Sequence, residues 1–287
     1  MTTLANVSGR LTIVVDDGAV DVEKASGGRF GPDPQAVYDD WDAFSTWVGG
    51  ATLTADQATP EPSSIGTPLP SPRQIIGVGL SYHDHIAHAG LTPPTTPGFF
   101  AKFVSSLTGP FADISVPGDK VSTEVELALV VGRGGYRIPV GEAVDHLAGV
   151  TIAQDLTDPE SSVQVLRHDG STGARYIDPG KSHPGFVPVG PYVHTLDTAG
   201  DLADLTIELD IDDRPVQRGN SRDLVFPIAD LVSQVSHHVA LLPGDIILTG
   251  SADRLEGTHA ITLAPGQTVR ARVGSLGEQR TTIVEAA

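Results

Sequence analysis

TEVELALVVG, residues 123–132, is the stretch that decides how this chain is built. Val125, Leu127, Leu129 and Val131 alternate with Glu124, Glu126, Ala128 and Val130. That is the period of a β-strand, and it puts both glutamates on one face. Beyond Glu126 the same face turns apolar, so the strand reads as buried on both sides apart from one acidic pair. Neighbouring carboxylates repel unless a cation lies between them or one holds a proton. A solvated strand face is the other reading of such a pair, and spacing alone leaves both standing.

Working outward, the chain is rich in short strands. They are expected at Leu11–Val15, closed by a turn at Asp16-Asp17-Gly18, and at Ile75–Val78, Val150–Ala153, Ile246–Thr249, Ile261–Leu263, Val269–Val273 and Thr281–Val284. Leu205, Ile207, Leu209 and Ile211 alternate with polar residues, marking a strand with one face in solvent. Apolar spacings of three to four predict helices over Asp33–Val48 and Pro227–Leu242, the second ended by Pro243-Gly244, with a short one over Gly141–Leu147. The fold class is therefore β-rich α+β. ATPEPSSIGTPLPSPRQ, residues 58–74, reads as a linker between a small N-terminal α/β domain (1–70, linker included) and a larger domain (71–287). Between Asp158 and Gly185 the periodicity dissolves, as in a lid over a site or an ordinary exposed loop.

Composition narrows the chemistry. The 287 residues suffice for a full hydrophobic core, and the absence of cysteine excludes disulfides and thiolate metal sites. A formal net charge of -18 argues against nucleic acid and anionic membrane surfaces as partners. A small anionic substrate is compatible with it, because a buried cation reverses the local field. The opening MTTLANVSGRLTIVV lacks a basic region followed by a long apolar run, and no stretch approaches membrane-spanning length, so a cytoplasmic protein is expected.

Asp155 ends the predicted strand GVTIAQD, a place where binding residues gather at the mouth of a sheet. With Glu124 and Glu126 it would offer three carboxylates and no nitrogen or sulfur, which suits a hard ion: Mg²⁺ or Mn²⁺, with Ca²⁺ a further option. Gly77-Val78-Gly79 lacks the third glycine and the βαβ setting of a dinucleotide site, and Ser251 lacks the context of a nucleophile elbow.

Six blocks, in order, carry a resemblance: GVGLSYHDHIAHAG, PGFFAKFVSSLTGP, TEVELALVVG, AGVTIAQD, PGKSHPGFVPVGP and LLPGDIILTG. Over residues 75 to 285 the chain resembles the fumarylacetoacetate hydrolase family, including its acylpyruvate hydrolases and 2-hydroxyhepta-2,4-diene-1,7-dioate isomerases. The resemblance implies a mixed β-sandwich roll, a homodimer, and a small-molecule 2-oxo acid substrate. It places Glu124, Glu126 and Asp155 on the family's metal ligands, Lys181 on its active-site lysine and His85 on its catalytic histidine. Tyr82 lies in the same motif as His85, and Gln217 and Thr249 fall on substrate-side positions.

Some family features are altered. The glutamate usually found three residues after the histidine is His88, which would have to share the work of His85 from the same helical face. Imidazole supplies no fixed negative charge at neutral pH. Pro159 and Ser162 stand where the family has arginine and glutamine, with Arg167 or Arg175 as candidate replacements; Ser81 stands for an asparagine. The expectation is a divalent-metal-dependent hydrolase that cleaves a C–C bond in an acylpyruvate-type 2,4-dioxo acid. The alternatives are an isomerase, dehydratase or oxaloacetate-type decarboxylase of the same family, or a noncatalytic metal-binding relative.

Overall fold

A computed structural model describes residues 2–16, 18–168 and 172–286, with only the backbone of 172–175. Asp17 of the expected turn and the side chain of Arg175 lie outside the described residues.

Among the described residues the two larger sheets have ten and five strands. Across the larger one, neighbours run Gly18–Asp21, Arg10–Val15, Thr3–Val7, Tyr192–His194, Leu147–Thr157, Ser122–Val131, Ile246–Leu248, Ile75–Gly79 and Gly98–Lys102; Ile65–Gly66 adds to the edge of Thr3–Val7. Its pairs are antiparallel except where Ile246–Leu248 meets Ile75–Gly79. The smaller sheet runs Arg214–Asn220, Thr206–Ile211, Thr268–Val273, Glu278–Glu285 and Asp113–Val116, the last pair parallel. This is the mixed, sheet-rich architecture expected.

The two faces of Ser122–Val131 enter two different cores. Val125, Leu127, Leu129 and Val131 pack with Ile207, Leu209 and Val269 of the smaller sheet and with Leu231, Val232 and Val235 of the helix Ile228–Ser236. Ala128 and Val130 pack on the other side with Leu4, Ile13, Phe44 and Leu248. Each such side chain contributes about 1.5–3 kcal/mol when fully buried. A strand held this way on both faces cannot slip by one residue without inverting both cores, and that fixes where Glu124 and Glu126 point.

Several elements differ from expectation. The sheet crosses the expected boundary near residue 70: Thr3–Val7 pairs with Tyr192–His194, and Ile65 and Leu69 of the proline-rich stretch are buried. Proline stiffens that stretch, while its apolar residues anchor it. Asp33–Val48 divides into a 3-10 turn, Ala36–Asp40, and the helix Trp41–Gly50. The helix expected to reach Leu242 stops at Ser236 and is capped by His237. Ile261–Leu263 forms no strand; the Ile261 carbonyl accepts from Arg254 and the Leu263 N–H donates to the Val121 carbonyl. Within 158–185 lies a hairpin of Val163–Leu166 with Thr172–Tyr176. Val163, Val165 and Leu166 are exposed, so no buried face marked the first of these strands in the sequence. No helix among the described residues is long and apolar enough to cross a membrane.

Candidate active site

Glu124 and Glu126 come from Ser122–Val131 and Asp155 from its antiparallel neighbour, whose register sets Asp155 directly across from Glu124. The three side chains bring ligand oxygens within 4.8 Å of one another. Glu126 and Asp155 are buried and Glu124 is half-buried. Gly250 donates its backbone N–H to Glu126 Oε2 at 2.5 Å, from a conformation with φ of 90° that favours glycine.

Two lysines answer this charge. Lys181 pairs with Asp155 Oδ2, donates to Thr157 Oγ1 at 2.9 Å and lies 4.8 Å over the Phe100 ring. Lys102, only 2% exposed, pairs with Asp155 Oδ1 and donates to the carbonyls of Leu156 at 3.3 Å and Phe186 at 3.1 Å. Burial lowers the pKa of Lys102 despite Asp155. For Lys181 burial pulls the same way, but Asp155 and Glu124 outweigh it and raise its pKa. Burial opposes the charge on Asp155 too, yet Lys102 and Lys181 prevail and hold its pKa down. Glu126 moves oppositely: burial, then Asp155 and Glu124, push it well above the ordinary carboxyl value.

The donor set fits a hard divalent cation. Three carboxylates converge on one point beside Lys102 and Lys181, and every donor they offer is an oxygen. A cation there offsets the repulsion from Asp155 and Glu124 that adds to burial in raising the Glu126 pKa.

One cavity of about 500 Å³ holds Glu124, Glu126, Asp155, Lys181, His85 and Ser251, with Leu80, Phe99, Phe100 and Tyr176 as apolar wall. His85 Nδ1 lies 3.3 Å from the carbonyl oxygen of Ser251. The Ser251 hydroxyl lies 3.5 Å from the same nitrogen; with the proton on Nδ1, donated to the carbonyl, the lone pair stands on Nε2.

His88 is not on that wall. Its ring stacks on His259 at 4.0 Å, and its Nδ1 is 3.4 Å from Asp253, so the expected sharing with His85 gives way to other partners. Tyr82, Gln217 and Thr249, expected on the substrate side, also do not line the cavity. Tyr82 is fully buried, which raises its pKa. Thr249 donates to the Leu127 carbonyl at 3.0 Å. Gln217 accepts from the N–H of Val125 at 2.9 Å and donates to the carbonyls of Val125 and Ala252 at 3.2 and 3.1 Å. It acts as a missing strand neighbour for the residue between the two glutamates. Pro159 and Ser161 bound a short 3-10 turn, and Asp178, Ile177 and Tyr176 bring the end of the hairpin to the cavity.

Sequence reasoning had missed Lys102, Phe100 and Gly250. A lysine inside FFAKF was the signal available for the first, since a solvated lysine rarely sits among three aromatic residues.

Residues 74–284 match the model of the fumarylacetoacetate (FAA) hydrolase C-terminal domain. The chain belongs to that family. A 2,4-didehydro-3-deoxy-L-rhamnonate hydrolase from Sphingomonas sp. (strain SKA58) is 33% identical over 225 residues, 77% of this chain and 76% of that one. Among solved structures, a protein provisionally assigned as HpcE from Mycobacterium smegmatis is 40% identical with a TM-score of 0.88, over 98% of this chain and 99% of that one. Maleylpyruvate hydrolase from Sphingobium sp. SYK-6, solved with manganese(II) and pyruvate, is 27% identical with a TM-score of 0.76 over the whole of both chains. As a member of the family the chain is an enzyme that acts on C–C bonds.

Proposed function

We propose that this enzyme is a divalent-metal-dependent hydrolase of an acylpyruvate-type 2,4-dioxo acid, with Glu124, Glu126 and Asp155 holding Mg²⁺ or Mn²⁺. The observation that carries the reading is one cavity containing three convergent carboxylates, Lys181 and a histidine with a free Nε2. The manganese and pyruvate bound by the maleylpyruvate hydrolase support it. Bound at the carboxylates, such an ion supplies Lewis-acid polarisation of a 2-oxo acid.

The chain's own residues do the rest. Lys181, kept charged by Asp155 and Glu124, places an ammonium where negative charge grows as the C–C bond breaks. Phe100 on one side of that ammonium limits water there. His85 Nε2 accepts a proton from a water molecule, and the Ser251 carbonyl steadies the imidazolium that results. A carbonyl does this less well than a carboxylate would. Gln217 and Thr249 serve the reaction by holding the strand that carries Glu124 and Glu126, and Tyr82 by accepting the first backbone bond of the helix that carries His85. Cytoplasmic location and assembly as a homodimer, which light scattering would check, belong to the same proposal.

Among the described residues no carboxylate pairs with the His85 ring, which favours one second reading, an isomerase, which needs proton transfer but no strongly activated water. The experiment separates the two. Incubation with a panel of acylpyruvates and 2-hydroxy-2,4-dienoates in Mg²⁺ or Mn²⁺, followed by mass analysis, should yield pyruvate and a carboxylic acid. Products of unchanged mass would make it an isomerase, and carbon dioxide a decarboxylase. Turnover that survives complete metal removal would sink the metal-dependent reading.

A further inference from the structure

A second cluster of metal-binding side chains stands outside the cavity. His88 closes the short helix His83–His88, while Asp253 and His259 lie on the segment that follows Thr249. Asp253 places one oxygen 3.4 Å from His88 Nδ1 and the other 3.1 Å from His259 Nε2. The two imidazoles lie parallel, 4.0 Å apart, and all three residues bring ligand atoms within 4.8 Å of one another. Among the described ion pairs, those of Asp253 are with these two imidazoles.

The backbone beneath is fixed. Arg254 donates to the carbonyls of Thr258, Ile261 and Thr123, the buried Thr258 hydroxyl donates to Val216, and the Asp253 N–H donates to Asp84. Asp253 and His259 are therefore presented by a segment tied down beside each of them, whereas the rings stay partly exposed and reachable. A backbone anchored beside each ligand residue keeps the three groups within reach of one ion.

We propose that His88, Asp253 and His259 bind a borderline transition-metal ion, Zn²⁺ above all, at a site distinct from the three carboxylates. Two imidazoles and one carboxylate suit Zn²⁺ and disfavour Mg²⁺, so the two sites sort ions by ligand chemistry. Stacked rings cannot both aim a lone pair at one point; binding turns them about χ2, a broad torsion that costs little. The ion joins the helix carrying His85 to the segment carrying Ser251, and thereby fixes the contact that orients His85. The proposal stands whichever reaction the cavity performs.

The test uses the full chain without a polyhistidine tag, in excess Mg²⁺ to occupy the carboxylates. Calorimetric titration should show one Zn²⁺ bound per chain. His88→Ala and His259→Ala should each weaken it by roughly tenfold or more, in the range that disturbed metal sites show. Glu126→Gln should leave it unchanged, and so should His237→Gln. Co²⁺ at the same site should give a visible absorption band that both alanine variants lose. Their melting temperatures without metal should match the parent, since both rings are exposed enough to be dispensable for folding. Absence of Zn²⁺ binding in excess Mg²⁺, or full binding by the His88→Ala/His259→Ala double variant, would overturn the proposal.

Discussion

Lys102 and Lys181 hold the two different oxygens of one carboxylate, Asp155: one from the edge strand Gly98–Lys102, the other from the turn Asp178–Lys181. Lys102 is thus a fixed counter-charge beneath the site. Lys102→Met should lower stability by about 3 kcal/mol, the low end for breaking a buried ion pair, because Lys181 remains. It should also tighten Mg²⁺ or Mn²⁺ binding, by freeing an Asp155 oxygen and removing a positive charge. Denaturant titration and calorimetry on the folded variant would check the two signs; weaker metal binding would contradict this assignment.

Glu126→Gln keeps an acceptor for the Gly250 N–H and removes one charge. Metal affinity should fall beyond the roughly 10–100-fold that changes in the outer shell of a site cost, and turnover with it. Stability should move the other way in chelator. Burial lifts the Glu126 pKa above its ordinary 4.5, so its contribution favours folding at low pH and is lost as pH rises from 4.5 through the raised value. The glutamine variant escapes that loss. Melting temperature against pH in chelator should therefore decline less in Glu126→Gln than in the parent.

Gln217→Leu leaves the buried N–H of Val125 and the carbonyls of Val125 and Ala252 without their partner. At about 1–3 kcal/mol for a buried group left unpaired, the loss should be several kcal/mol. A purely structural role ends there. A positioning role also predicts weaker metal binding in the fraction that remains folded, measured well below the melting temperature, because Val125 sits between the two glutamates.

Gly250→Ala tests the other support of Glu126. A Cβ there would lie 1.9 Å from Ser81 Oγ and 2.8 Å from the Val78 carbonyl oxygen, on a backbone whose φ of 90° an alanine resists. The cost should be about 1–3 kcal/mol or more. The variant should lose metal affinity together with stability, whereas Gly257→Ala, also at positive φ but in open space, should lose stability alone.

Local pattern and tertiary register divide what could be read in advance. Alternation around Glu124 and Glu126 is local, and it correctly implied a strand buried on both faces. That Asp155 lies across from Glu124 depends on a pairing between strands, which no periodicity encodes; the family resemblance implied only that both are metal ligands. Lys102 escaped notice because its partner lies 53 residues away. His88 was drawn toward His85 by helical spacing, while its actual neighbours, Asp253 and His259, are brought from the far end of the chain by the loop after Thr249. The hairpin within 158–185 was illegible for a different reason: its strand Val163–Leu166 is exposed throughout and has no inner face to imprint a period.

The strand Thr3–Val7 lies between Arg10–Val15 and Tyr192–His194, although the family match begins only at residue 74. The sheet therefore extends beyond the matched residues. A fragment cut to the matched residues would be left with a raw sheet margin at Tyr192–His194 and with Val130 and Leu248 stripped of Leu4, Ile13 and Phe44. Anyone grafting the catalytic part onto another scaffold would have to carry the opening segment along, as one carries the keel with the hull.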